Sequence, residues 1–294
     1  MPTPADRPPR LGVVLAGTGV RGFAQAGTLG ALDRAGLSPD VLVGVSSAAV
    51  VAATYAVRTD WSAALLAVDR ARLPTLSAPL GDDVRSRLRQ TLRSARQLAP
   101  SVWTWGRKGL EGLGRDVLED LFGSATAFAD TRLPLALTAT DLRTSSRVTF
   151  TEGALVDAAV AASALPGLTR PVQVAGRVLL DGAFADPAPV DVARALGADV
   201  VVVALPFGPG EAHGGATDEE FDGPIAAMLR GLVIGQRAFL REQLSDADIV
   251  LRADLGEDVR LLDFTVLDDA VRRAYEDTLE AADVLAEALA AAQP

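Results

Sequence analysis

The amino-acid sequence predicts a layered α/β domain on a mostly parallel sheet, and three observations carry that reading. Strand-length runs that are apolar at every position recur along the chain, helical patterns separate them, and the composition supports a large core. Runs without in-and-out alternation belong to strands covered on both faces, which is the signature of a parallel sheet. Alternating strands and helices then stack as layers. Of the 294 residues, 49% are hydrophobic and 22% charged, as in an ordinary globular protein.

Residues 1–10, MPTPADRPPR, hold no apolar run and read as a disordered leader without a signal peptide. Residues 11–292 are expected to form one domain. Its first strand, 11–16, leads through a glycine-rich turn into a helix over 23–35. Gly36 and Pro39 stop that helix, and the second strand follows at 41–45. Helices are expected over 47–57 and 61–70. From about 70 to 131 the chain turns Arg-rich with spaced leucines, which reads as a helical insertion over the sheet with a helix at 84–98. A third strand at 133–138 and a helix at 155–162 precede a hairpin. Its arms are 172–174 and 178–180, turning through Ala175-Gly176-Arg177. A helix at 190–196, strands at 200–205 and 249–251, and one long helix over 266–292 complete the chain. In that last helix Leu267, Val271, Ala274, Leu279, Ala282, Leu285 and Leu289 recur at core-packing spacing.

Composition removes several function classes. There is no cysteine, so thiol catalysis, disulfides and thiolate zinc sites are excluded. With His213 as the single histidine, any Ser-His-Asp triad has to use that residue. The net charge of −10 and pI near 4.7 argue against nucleic-acid binding, which needs an excess of Lys and Arg on some face. No run of about 18 apolar residues spans a membrane, so the cytoplasm is the expected location.

Two motifs carry chemistry. The first is Gly17-Thr18-Gly19-Val20-Arg21-Gly22 between the first strand and helix, where amides at a helix N-terminus stabilise negative charge. The same spelling occurs in dinucleotide-binding folds, which place an acid at the end of the second strand to hold the ribose. Here that strand ends in Gly44-Val45-Ser46, and the nearest acid, Asp40, precedes it. The second motif is Gly44-Val45-Ser46-Ser47-Ala48 between a buried strand and a helix, the setting of a nucleophile elbow. The plainer alternative is that Ser46 merely caps the helix. A serine nucleophile needs a base. His213 lies in a polar, Gly-rich loop that reads as solvated surface. Asp181, in Asp181-Gly182-Ala183 at the end of a hairpin arm, is the other candidate. Partial burial beside Leu179, Leu180 and Phe184 is expected to raise its pKa; alternatively it only forms an Asx-turn.

These motifs resemble the patatin-like phospholipases, whose members combine a Gly-rich oxyanion loop, a G-x-S-x-G elbow and a D-G-[GA] motif in this order. Residues 137–153, 159–168 and 186–206 look like the bacterial branch of that family. The resemblance implies a three-layer α/β/α sandwich with a mixed, mostly parallel central sheet. It also implies acyl-ester hydrolysis of lipid-like substrates, with Ser46 as nucleophile and Asp181 as base. The loop Gly17, Thr18, Gly19, Arg21 and Gly22 would form the oxyanion hole, and Gly44 and Ala48 would shape the elbow. No metal or organic cofactor is required. Two positions depart from the pattern: Thr18 replaces a common glycine, and Ala48 replaces the elbow glycine. The rival readings are an acyltransferase with the same dyad, a silent binding protein on the same fold, and a nucleotide-binding domain.

The stretch 84–110 holds Arg85, Arg87, Arg89, Arg93, Arg96, Arg107 and Lys108 with Trp103 and Trp105, and no acid. It reads either as a peripheral membrane contact or, the favoured alternative, as a solvated helix face with core tryptophans. Nothing in the sequence specifies an oligomeric state.

Overall fold

A computed structural model of the chain describes residues 7–17, 19–73, 114–166, 169–207, 224–256, 259 and 263–292. The leader at 1–6, the Arg-rich stretch 84–110 with most of the expected insertion, and His213 lie outside the described residues.

One eight-stranded mixed sheet organises the rest. Its parallel half contains β1 (Leu11–Leu15), β2 (Val41–Val45), the first part of β3 (Leu135–Asp141), β7 (Val200–Leu205) and β8 (Ile249–Arg252). The all-apolar runs have the predicted cause, since every residue of β1, β2, β3 and β7 is buried. Three antiparallel strands extend the sheet: β4 (Ser146–Phe150), β5 (Val172–Val174) and β6 (Arg177–Asp181). The β5–β6 hairpin turns through Ala175 and Gly176, both at positive φ (47° and 76°), as a two-residue turn with inverted backbone demands.

Helices cover both faces, which makes the three layers. On one face α1 (Val20–Arg34), α2 (Ala48–Val57), α3 (Trp61–Leu66), α4 (Arg115–Phe122) and α5 (Leu155–Ala162) share a large apolar core with α8 (Leu267–Glu280). On the other, α6 (Val190–Ala195) and Leu240 of α7 (Pro224–Gln243) pack on Val14, Val43, Val201 and Val203. The helix expected over 266–292 is two helices, α8 and α9 (Ala282–Ala291), separated at Ala281. Both β4 and α7 are additions to the predicted elements. Among the described residues no helix is long and apolar enough to cross a membrane.

The register of β3 positions the site. Its edge from Leu137 to Asp141 is taken by β4, so β2 and β6 must share the opposite edge. There β2 runs parallel to β3 as far as Val45 beside Thr138, and β6 runs antiparallel until Asp181 lies beside Ala139. The two strands meet head-on, at adjacent positions of one ladder. The residue after Val45 is Ser46.

Candidate active site

The elbow follows from how tightly α2 folds back on β2. Ser46 has φ 58°, in the left-handed region where a β-carbon is strained by about 1–3 kcal/mol. Ser47 returns to the right-handed region and α2 begins at Ala48. At Gly44 a β-carbon would stand 2.5 Å from the Ala49 Cα and 2.8 Å from the Ala52 Cβ, so only glycine allows this approach. Ala48 is fully buried in α2, and the strained residue of the elbow is Ser46. The alanine that replaces the usual glycine therefore occupies ordinary helical backbone. Ala48→Gly is accordingly expected to lower stability by about 1 kcal/mol, as thermal melts would report.

Ser46 does not cap α2. Its hydroxyl donates to Asp181 Oδ2 at 2.5 Å, and both residues are only 1% exposed. The other carboxylate oxygen, Oδ1, accepts the Ala183 amide at 2.9 Å, the Asx-turn suggested by the D-G pair. The Asx-turn and the bond from Ser46 thus coexist, one on each oxygen. The backbone around Asp181 is also tied, with its N–H donating to the Ala164 carbonyl at 3.0 Å and its carbonyl accepting the Thr140 hydroxyl at 2.9 Å. Burial pushes the Asp181 pKa up to about 6, while the bonds from Ser46 and Ala183 partly offset that rise.

The glycine-rich segment divides in two. Gly17 and Gly19 belong to the connection out of β1, whereas Arg21 and Gly22 lie in the first turn of α1. Thr18 lies outside the described residues. The Arg21 guanidinium donates to the carbonyls of Pro206, Gly256 and Val259 at 3.0–3.2 Å, so it anchors this turn to the chain after β7 and β8. Gln25, one turn further along α1 and 1% exposed, donates to the carbonyls of Ala16 and Ala204 at 2.8 and 2.9 Å. Sequence reasoning passed over Gln25; its signal was a lone amide in an apolar helical run. The N-termini of α1 and α2 converge here, and their partial positive charge favours an anion beside Ser46. Asp40 accepts the Leu11 amide at 2.8 Å, at the end of β1 remote from the glycine turn, which removes the acid a dinucleotide site would need.

The fold is that of the patatin-like proteins, and the comparisons agree. The family model described as patatin-like phospholipase matches residues 13–194, and the chain belongs to that family. An uncharacterized NTE family protein of Mycobacterium tuberculosis is 32% identical over 210 residues, covering 69% of this chain and 52% of that protein. A lysophospholipase NTE1 of Phaeosphaeria nodorum is 30% identical over 195 residues, covering 65% of this chain and 12% of its own length. The chain thus spans about half the length, or less, of these relatives. Among solved structures, VipD from Legionella pneumophila superposes with a TM-score of 0.54 at 14% identity, over 94% of this chain and 67% of that one, which is a likeness of fold.

Proposed function

We propose that this chain is a serine acyl-ester hydrolase acting on lipid-like esters, with Ser46 as nucleophile and Asp181 as its only side-chain base. The observation that carries the reading is the 2.5 Å bond from a strained, buried serine to a buried carboxylate. Family membership and the likeness to a lysophospholipase support a lipid ester as substrate.

In this mechanism Asp181 accepts the Ser46 proton as Oγ attacks the ester carbonyl. The tetrahedral oxyanion lies against backbone amides beside Gly19, at the N-termini of α1 and α2. The alcohol leaves with the proton from Asp181. Water then attacks the acyl-enzyme by the same route, releasing the acid and restoring the serine. Arg21 and Gln25 hold the turn without touching the reacting atoms.

A fluorophosphonate probe tests the assignment directly. Wild type is expected to be labelled once, at Ser46, and Ser46→Ala not at all; labelling of the variant would move the nucleophile elsewhere. A dyad also makes the single histidine dispensable, so His213→Ala is expected to keep most of the turnover. A loss of about ten-thousandfold or more, the scale of losing a triad member, would replace the dyad with a histidine-dependent mechanism.

A further inference from the structure

Ser47 stands at the N-cap of α2, where a serine hydroxyl ordinarily accepts an amide of the first turn. It makes no such bond. The Ser47 hydroxyl instead donates to the Gly19 carbonyl at 2.8 Å, with a longer contact of 3.4 Å to the Gly17 carbonyl. Ser47 is 5% exposed, so water does not compete freely for that bond. The space is reserved as well: a β-carbon at Gly22 would lie 2.1 Å from Ser47 Oγ.

We propose that Ser47 is a positioning residue that locks the glycine-rich turn to the nucleophile elbow and so holds the oxyanion donors in register with Ser46. The proposal rests on the hydrolase reading above. Gly19 has φ 61° and ψ −139°, a conformation essentially restricted to glycine, and its carbonyl direction sets the peptide planes beside it. Within α1 that carbonyl accepts the Gly22 and Phe23 amides at 3.1 and 3.3 Å. Those bonds tie the turn to its own helix. The Ser47 bond ties it to the element that carries the nucleophile. Register between nucleophile and oxyanion donors matters in the transition state, when the carbonyl oxygen becomes charged.

The test is Ser47→Ala, which removes one hydroxyl from a helix already rich in alanine. With a soluble p-nitrophenyl ester, kcat is expected to fall roughly ten- to a hundredfold, the effect of a displacement of about 1 Å. KM should stay within about twofold and the thermal midpoint within a few degrees. Inhibition by a trifluoromethyl ketone, whose adduct with Ser46 carries the oxyanion, should weaken by the same factor as kcat/KM. Wild-type kcat in Ser47→Ala would overturn the proposal, as would a fall in kcat with unchanged ketone affinity, because neither fits displaced oxyanion donors. Ser46→Ala in the same assay separates the two levels. If it retains turnover, the hydrolase assignment fails; if it is inactive while Ser47→Ala matches wild type, only the role of Ser47 fails.

Discussion

Ser46→Ala is expected to reduce hydrolysis of a short p-nitrophenyl ester by about 10⁴-fold or more, toward the roughly millionfold loss on removing a catalytic serine. The adjacent hydroxyl is no substitute, because Ser47 is committed to the Gly19 carbonyl. Folding should survive, because the deletion leaves the apolar packing of β2 and α2 intact. One secondary effect follows from burial. Asp181 loses the hydrogen bond that favours its charged form, so its pKa should rise further above about 6. The variant should therefore lose stability more steeply than wild type as pH rises from 6 to 8. Initial rates and circular-dichroism melts of purified proteins would check both parts, and turnover within about tenfold of wild type would remove Ser46 from the chemistry.

How much of this was legible in the sequence depends on how locally each feature is encoded. The buried parallel strands announce themselves because both faces are apolar, and the elbow because Gly44, Ser46 and small neighbours are contiguous. β4 was missed for the opposite reason: SRVTF is short, half exposed and polar at alternate positions, and it exists through its pairing with β3. α7 carries glycines at 231 and 235, which weaken a helical pattern. The separation of α8 from α9 at Ala281 is hidden in an Ala-rich run whose propensity favours helix throughout. The same limit applies within the site. Ser46 and Asp181 were identifiable as motifs, but their contact arises because β2 and β6 share one edge of β3 and end at neighbouring positions. Bonds from Ser47 to Gly19 and from Gln25 to Ala204 join segments that no local spacing relates.

Asp181→Asn is expected to lower turnover by about a thousandfold or more while making the protein more stable at neutral pH. The amide keeps the shape of the carboxylate, can accept the Ala183 amide, and can donate to Ser46 Oγ, yet it accepts no proton. The stability gain follows from the direction of the Asp181 shift. Burial raises its pKa from 3.8 in the unfolded chain to about 6 in the folded one. Between those values the native state holds a proton that the unfolded state releases, so stability falls as pH rises through this window. Above about pH 6 the full penalty of keeping a buried charge applies, about 3 kcal/mol for a shift of roughly two units. Asparagine removes it. The melting temperature of Asp181→Asn should therefore exceed that of wild type at pH 8 by several degrees, and the difference should shrink toward pH 4. With Asp181 as the proposed base, kcat/KM should rise with pH through about 6 and then level off, since only the carboxylate can take the serine proton. A variant that is less stable than wild type at pH 8, or a rate that falls as pH rises through 6, would contradict the buried-base account. A strained serine and a charge held out of water are local losses of stability, and in the proposed mechanism each serves the attack on an ester: the strained turn aims Oγ at Asp181, and burial makes that carboxylate a stronger base.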